Sequence, residues 1–289
     1  MTHDIPTTPR VGRAIKRGIA RQRTLWWRIR GGPSVGRQGT RILFYHRVTE
    51  DRDPLAVSPS QFAEQMQFLA REGYATSDIA TLVSQAQAPP NPNLVGLCFD
   101  DGYADVVDNA LPILKQHGFS ATVFIATGVT SGTSIFTWYG RQPKLISWAD
   151  IVRLDGDGTL RFEAHTVTHP NLLALSDDDV IREISDSKHD LESRLGRSVT
   201  VFCYPGGFFG RREQALVEKA GFFVATSCEP GLNSAETPRL ALRRTAVECW
   251  DRLVDFEAKM AGAHDSEGTT RAIYRGVRTR LATPRDGNR

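Results

Sequence analysis

The sequence predicts an α/β protein in which parallel strands form a barrel. Hydrophobic residues make up 40% and charged residues 24% of the 289 positions, which is close to the globular average. From residue 41 onward, short apolar runs alternate with amphipathic helical stretches. Such repeats place helical crossovers between parallel strands. Because the repeats continue for about 220 residues, they suit a barrel better than a small doubly wound sheet.

The predicted strands are short runs of β-branched, aromatic and aliphatic residues. They cover residues 41–45, 94–99, 121–126, 160–164, 199–204 and 222–226. Between them lie stretches with the 3.6-residue hydrophobic period of helices. Five of these stretches cover residues 58–72, 147–154, 176–195, 210–220 and 251–260. A sixth contains Pro112 and ends at Gly118.

Local signals mark the ends of these elements. Ser58 is a typical first residue for the helix at 58–72, and Gly73 is a typical stop. Two stretches rich in Pro, Asn, Gly, Ser or Thr, residues 85–92 and 127–144, predict surface loops.

The net charge of +3 is unevenly distributed along the chain. Residues 1–41 hold ten Lys and Arg side chains and one acidic residue, whereas residues 42–262 hold 20 basic and 29 acidic residues. The excess of basic residues therefore lies in the terminal segments, so it gives little indication of what residues 42–262 bind. We predict a basic N-terminal arm at 1–40, one domain at 41–262 and a basic tail at 263–289.

The sequence predicts a cytoplasmic protein. Its apolar runs fall far short of the roughly 20 residues of a membrane-spanning helix. The Arg-rich start is not followed by the apolar run and cleavage site of a secretory signal. The four cysteines have no CxxC spacing, which favours reduced thiols.

The N-terminal arm has the composition of a helix that lies on a membrane surface. Within residues 10–30, large apolar residues recur at helical spacing among basic ones. They are Val11, Ile15, Ile19, Trp26 and Ile29. Two interpretations stay open: contact with an anionic membrane surface at its inner face, and a solvated arm, which Gly12 and Gly18 favour. Nucleic acid is disfavoured as a partner.

Two adjacent carboxylates follow the predicted strand at 94–99. Asp100 and Asp101 precede Gly102, and strand ends on one face of a parallel barrel are where active sites are built. Adjacent carboxylates repel each other, so one of them is expected to be protonated or to face a cation. A helix-capping Asp-Asp-Gly turn is the alternative.

A pair of histidines follows the predicted strand at 160–164. His165 and His169 are four residues apart, so both rings can face the same way on a helical turn and hold one ion. A surface pair is the alternative. One Asp and two His at the ends of separate strands would form three protein ligands with open positions for water.

A third strand end reads Phe-Cys-Tyr-Pro-Gly-Gly-Phe at residues 202–208. Its glycines leave backbone N–H groups able to approach a substrate oxygen. An ordinary Pro-Gly turn is the alternative.

Together these motifs resemble those of the NodB-homology polysaccharide deacetylases, also called carbohydrate esterase family four. The Asp pair matches the first family motif, and residues 165–169 match His-[Ser/Thr]-x-x-His. Residues 202–207 match the Phe-x-Tyr-Pro-x-Gly motif of a bacterial branch. The resemblance spans residues 41–262 and implies a distorted (β/α)7–8 barrel in a single domain.

The resemblance implies a role for each motif residue. Asp101, His165 and His169 are expected to bind a divalent metal, first of all Zn²⁺, with Co²⁺, Ni²⁺ or Mn²⁺ as alternatives. Asp100 is expected to act as the general base toward the attacking water. The backbone N–H of Gly206 is expected to stabilise the developing oxyanion.

Two family features are absent from their usual positions. Cys203 stands where many members have an arginine that orients the base, and Arg243 or Arg244 is expected to replace that arginine. The Leu-x-His motif that supplies the general acid is also missing. His46, which ends the first predicted strand, and a protonated Asp100 are the candidates for this role.

We therefore expect a metal-dependent hydrolase that removes N-acetyl groups from an acetylated amino-sugar glycan or glycoconjugate precursor. An O-acetyl esterase or a non-sugar amidase would use the same residues. A non-catalytic carbohydrate-binding descendant is disfavoured, because the expected base and metal ligands are all present.

Overall fold

The computed structural model of the protein describes residues 10–31, 39–84 and 93–265. Its strands are β1 (Thr40–Tyr45), β2 (Arg47–Val48), β3 (Ala56–Val57), β4 (Ala75–Ser77), β5 (Leu94–Phe99), β6 (Ala121–Ile125), β7 (Leu160–Ala164), β8 (Val201–Cys203), β9 (Val224–Thr226), β10 (Leu232–Asn233) and β11 (Thr245–Ala246). Its helices are α1 (Arg10–Ile29), α2 (Pro59–Arg71), α3 (Ile79–Ser84), α4 (Leu111–His117), α5 (Thr127–Thr130), α6 (Trp148–Asp155), α7 (Asp177–Leu195), α8 (Arg211–Lys219) and α9 (Leu253–Met260).

Parallel strands form the wall of a barrel in the described part of the chain. Their order is β1-β5-β6-β7-β8-β9. Thr226 of β9 forms a parallel bridge with Leu242, and β11 pairs in parallel with β1. The segment at 242–246 therefore closes the ring, and the predicted α/β barrel is confirmed.

The barrel is distorted because its strands overlap over unequal lengths. β4 pairs with the first half of β5, whereas β6 pairs only with Cys98 and Phe99. β7 and β8 are joined by the single pair Ala164 and Phe202. β10 adds an antiparallel partner at the start of β1.

Both faces of the central strands are buried, as parallel sheets require. One set of strand side chains packs against the helices and forms the larger core, with Phe62, Met66 and Leu69 of α2 among its members. The alternate set fills the barrel interior and includes Phe44, Phe124 and two cysteines. The interior is therefore a packed core, and its chemistry is confined to the strand ends.

Capping residues set the helix ends where the sequence placed them. Ser58, Ser147 and Ser176 each accept a hydrogen bond from the backbone N–H three residues later and begin α2, α6 and α7. Gly118 and Gly196 end α4 and α7 in the left-handed conformation, at φ 65° and 64°.

The helix that contains Pro112 begins irregularly. A π-helical turn at Val106–Ala110 precedes α4, and Pro112 lies in the first turn of α4. The Leu111 N–H donates to the Val106 carbonyl, so the π-helical turn runs directly into α4. The missing N–H of Pro112 therefore coincides with this irregular turn, and the helix continues to Gly118.

Some short elements differ from the sequence-based expectation. β4 and α3 were not predicted, and α5 occupies the start of the stretch predicted as a loop at 127–144. Segments of three to six residues carry too little periodicity to be recognised. The loop predicted at 85–92 lies outside the described residues.

The N-terminal helix α1 packs against α9 at the side of the barrel. Among the described residues, no helix combines the length and the apolarity needed to cross a membrane. The four cysteines are free thiols; Cys98 and Cys203 are buried, and Cys228 and Cys249 are partly exposed.

Candidate functional site

The predicted site residues meet at the carboxyl-terminal edge of the barrel. Asp100 and Asp101 follow β5, His165 follows β7, and Cys203 ends β8. Because these strands run in parallel, their ends open on one edge, where barrel enzymes build their sites. All four residues are buried.

Asp101 and the two histidines converge on one point. Oδ1 of Asp101 lies 3.5 Å from Nε2 of His165 and 3.4 Å from Nε2 of His169. Ligand atoms arranged tetrahedrally about 2.1 Å from one Zn²⁺ would be about 3.4 Å apart. Oδ1 of Asp101 is also buried without a hydrogen-bond partner within the described structure. The donor set therefore fits a divalent metal.

A backbone carbonyl fixes which nitrogen of His165 faces Asp101. Nδ1 of His165 lies 2.8 Å from the carbonyl oxygen of Cys203. A carbonyl only accepts, so Nδ1 carries a proton, and in the neutral imidazole Nε2 then keeps its lone pair. This is the arrangement by which a second hydrogen bond orients a metal-binding histidine.

The backbone at the site adopts conformations that residues other than glycine rarely take. Asp101, Thr166 and His169 are the non-glycine residues with positive φ in the described chain, at 73°, 67° and 60°. Such conformations persist where the surroundings hold them, and they concentrate at functional sites. Two of the three predicted metal ligands lie in this group.

The segment from His165 to His169 is a loop, so the prediction that a helical turn brings the two histidines together is wrong. Glu183 of α7 holds this loop. Its carboxylate accepts hydrogen bonds from the backbone N–H groups of Val167 (2.9 Å) and Thr168 (2.8 Å). The side chain of Thr166 accepts from the N–H of His169 at 3.0 Å. Tertiary contacts therefore bring the two imidazoles together, with ring centroids 4.7 Å apart.

Asp100 forms an ion pair with a buried arginine, Arg244. Nη1 and Nη2 of Arg244 donate to its two carboxylate oxygens at 2.6 and 2.9 Å, and both side chains are buried. Burial alone would raise the pKa of Asp100, but the charge and hydrogen bonds of Arg244 outweigh it and hold the pKa below its ordinary value. Asp100 is therefore an ionised acceptor beside the convergent triad.

The polysaccharide deacetylase family model matches residues 87–225. This stretch contains Asp100, Asp101, His165 and His169. Over these residues the chain is similar to the polysaccharide deacetylase family. Its predicted enzyme class, a hydrolase of carbon–nitrogen bonds other than peptide bonds, is confirmed with it.

Curated relatives match most of the length of the chain. The "Putative polysaccharide deacetylase YxkH" of Bacillus subtilis (strain 168) is 29% identical over 208 residues, 71% of this chain and 70% of that protein. The poly-beta-1,6-N-acetyl-D-glucosamine N-deacetylase of Staphylococcus aureus (strain MRSA252) is 24% identical over 221 residues, 72% of this chain and 74% of that protein.

Solved structures share the fold of this chain. The deacetylase PplD of Streptococcus pyogenes, in complex with acetate, has a TM-score of 0.68 at 24% identity and is matched over 77% of this chain and 98% of that one. IcaB from Ammonifex degensii has a TM-score of 0.67 at 23% identity, over 79% and 98%. At these identities the likeness shows the fold alone.

The structure distinguishes between the two arginines proposed to orient Asp100. Arg244 enters the barrel interior, where its guanidinium lies 4.4 Å from the Phe44 ring centroid. Its Nη1 lies 3.4 Å from Sγ of Cys98, and its Nη2 lies 3.1 Å from Sγ of Cys203. Arg243 is exposed. Cys203 is thus a small neighbour that leaves room for the arginine in the barrel interior.

Two further predicted residues lie at the edge of the site. His46 follows β1 and is close enough to Asp100 and Asp101 for its charge to lower the pKa of both carboxyls. Gly206 lies in the turn at Pro205–Gly207 with φ 60°. His264, which follows α9, is buried against Thr24 of α1 and is not part of the site.

A group of aromatic residues beside the triad was not predicted from the sequence. The Tyr103 hydroxyl donates to Oδ2 of Asp101 at 3.0 Å, which leaves Oδ1 pointing toward the histidines. Phe136 and Trp138 stack at 4.7 Å, and the Trp138 ring lies 4.9 Å from His169. The signal available was the position of Tyr103 directly after Asp-Asp-Gly. Phe136 and Trp138 lie in the loop that follows α5, and the composition of that stretch indicated only a polar loop.

Proposed function

We propose that the protein removes N-acetyl groups from an amino-sugar-containing glycan or glycoconjugate precursor by metal-dependent hydrolysis. One observation carries the proposal: the Asp101, His165 and His169 donors converge beside an ionised Asp100 that Arg244 holds. The activity named for the Staphylococcus aureus relative, N-deacetylation of poly-beta-1,6-N-acetyl-D-glucosamine, supports this substrate class.

Asp101, His165 and His169 would hold the metal, with Zn²⁺ favoured by two imidazoles and one carboxylate. Co²⁺, Ni²⁺ and Mn²⁺ accept similar donors. When bound, such an ion lowers the pKa of water and polarises an acyl carbonyl. Tyr103 holds Oδ2 of Asp101 and the Cys203 carbonyl holds Nδ1 of His165, so two of the three side chains are fixed in orientation.

Asp100 accepts the proton of the attacking water at its carboxylate. Arg244 contacts both oxygens and fixes the plane of the carboxylate, which keeps the base in one position. As the carbon–nitrogen bond breaks, the leaving amine takes a proton from Asp100 or from His46. The N–H of Gly206 would face the negative charge that develops on the acyl oxygen.

The test is acetate release by the purified full-length chain from β-1,6- and β-1,4-linked N-acetylglucosamine oligomers. We expect release that a chelator abolishes and Zn²⁺ restores. Asp100→Asn is expected to keep its metal and to lose activity by about 10²–10⁴-fold, because an amide cannot take up the proton.

Three results would overturn parts of the proposal. Release from O-acetylated sugars alone would indicate an esterase. Binding of the oligomers without release by the metal-loaded protein would indicate a non-catalytic descendant. Activity that persists after the chelator has removed all metal would exclude the metal-dependent route.

The cytoplasmic location stays a prediction of the sequence. In that compartment a soluble or lipid-linked precursor sugar is a more accessible substrate than finished cell-wall polymer. Cell fractionation with antibody detection checks it, and recovery of the protein outside the inner membrane would contradict it.

A further inference from the structure

The described residues expose nine large hydrophobic side chains, and five of them lie on α1. We call these five the outer stripe: Ile15, Ile19, Leu25, Trp26 and Ile29, which are 44–65% exposed. Their spacing places them along one side of the helix. A surface helix of a globular protein normally buries such a stripe against the core.

The opposite side of α1 is docked on the body of the protein. Ala20 and Thr24 are buried, and Oγ1 of Thr24 lies 3.4 Å from Nε2 of His264. Lys16 forms an ion pair with Glu248, which precedes α9. Trp27, on the same side, is half-buried. The helix is therefore docked on the body, and the exposure of the outer stripe does not come from a detached helix.

The charge of α1 has one sign. Its 20 residues include seven Lys and Arg and no Asp or Glu. Arg21 and Arg28 are exposed along one flank of the outer stripe. A helix with an apolar side, cationic flanks and low mean hydropathy has the composition of one that lies in the plane of a lipid surface.

We propose that α1 docks the protein on an anionic lipid bilayer, with the outer stripe in the headgroup–acyl boundary and the arginines on the headgroups. Charge complementarity favours this occupant. A second copy of the chain would bring like-charged helices together, which is repulsive. A nucleic acid would match the arginines and leave five large apolar side chains unused.

The amino-terminal part of α1, which contains Arg13 and Arg17, lies near the edge of the barrel that carries the candidate site. Arg13 and Arg17 line a cavity of about 540 Å³ together with Asp53 and Trp250. Asp53 accepts a hydrogen bond from Tyr139 at 2.6 Å, and the Tyr139 and Tyr103 rings are in edge contact. The amino-terminal part of α1 therefore lies beside this edge of the barrel.

The first test is co-sedimentation of the full-length chain with two kinds of vesicle. One contains phosphatidylcholine alone, and the other also contains about 30% phosphatidylglycerol, which gives it a negative surface. We expect binding to the anionic vesicles, weakened at 1 M salt, where the Debye length is about 3 Å. The triple variant Ile15→Gln, Ile19→Gln, Trp26→Gln should bind at least about tenfold more weakly. Val152→Gln with Ile181→Gln, exposed on α6 and α7, is the matched control and should bind normally.

A charge series separates the two contributions. Arg21→Gln and Arg28→Gln together should weaken partitioning by about 25-fold, at about fivefold per arginine. Changing the same two residues to lysine should preserve binding. Circular dichroism and thermal unfolding report whether each variant is folded, and none of these readouts depends on the proposed hydrolysis.

Three outcomes would overturn the proposal. Equal co-sedimentation of the wild type and the folded stripe variant would show that the stripe does not contact lipid. A concentration-dependent dimer that the stripe variant loses, without vesicle binding by the wild type, would assign the face to a second copy. Binding to duplex DNA or RNA without vesicle binding would assign it to nucleic acid.

Discussion

The candidate site and the outer side of α1 invert the usual distribution of side chains in opposite ways. At the site, charged groups such as Asp100, Asp101 and Arg244 are buried; on α1, large apolar groups such as Trp26 are exposed. Buried charges and exposed apolar patches are the informative exceptions to ordinary burial. Each exception supports the contact that we propose for it: a metal cation at the site and an anionic lipid layer at α1.

The two regions also differ in how they are held together. The site draws its residues from the ends of β5, β7 and β8 and from the segment that closes the barrel, so its geometry depends on long-range contacts. The outer stripe comes from one continuous helix, and its geometry follows from helical spacing alone. Changes at the site should therefore have large effects, and changes in the docking of α1 should have small ones.

The largest effect is expected from removing the carboxylate of the triad. Asp101→Asn keeps the shape of the side chain and suits the left-handed backbone at φ 73°. A neutral amide is a much poorer ligand, so metal content should fall from about one ion per chain to near zero, with an affinity loss beyond about 100-fold. Elemental analysis of dialysed protein measures this, with Asp100→Asn as the matched control. Full occupancy in Asp101→Asn would discard the ligand assignment.

Next in size is the loss of the buried pair between Arg244 and Asp100. Arg244→Gln should lower the free energy of unfolding by about 3–5 kcal/mol, because it leaves a buried carboxylate without its counter-charge. The neighbouring exposed Arg243→Gln should change it by no more than about 0.5 kcal/mol. Urea denaturation of both variants gives the two values.

The same substitution has a signature in the pH dependence of hydrolysis. Arg244 lowers the pKa of Asp100, so removing it lets burial raise that pKa. The acidic limb of the kcat/KM profile should then move to higher pH, and Arg244→Lys should return it part of the way. An unmoved limb in folded Arg244→Gln would show that this pair does not set the protonation of the base.

A smaller effect is expected at Tyr103. Tyr103→Phe removes the hydrogen bond to Oδ2 of Asp101 and keeps the ring in its aromatic group. Loss of such an orienting partner typically costs about 10–100-fold in metal affinity. Competition with a chromophoric chelator measures the change. Tyr204→Phe removes a buried hydroxyl that donates to the Leu240 carbonyl, and it should leave the affinity unaltered; equal losses in both variants would contradict an orienting role for Tyr103.

The smallest effect is expected where α1 meets the body. Lys16→Ala breaks the ion pair with Glu248, but the lysine is 36% exposed, so the unfolding free energy should fall by less than about 1 kcal/mol. Metal content should not change. Thermal unfolding and elemental analysis of the same preparation test this, and a loss of metal would show that the helix and the site are not separable.

The sequence was sufficient for most of the fold because helices and strands follow from local patterns. The periodic runs and capping residues placed α2, α6 and α7 within one residue of their observed ends. The short elements β4 and α3 were missed because a few residues hold no measurable period. The metal ligands could be proposed because each follows a recognisable strand.

For the site, the sequence alone determined which residues are available at the strand ends, and for α1 it determined which side chains share a face. Only the tertiary structure decided that Arg244 enters the barrel while Arg243 stays outside, because that depends on where the segment at 242–246 closes the ring. Only the tertiary structure decided that a loop held by Glu183 joins the two imidazoles, and that the outer stripe of α1 faces away from the protein. Periodicity is a property of neighbours in the chain, whereas burial and the meeting of charges depend on residues far apart in it.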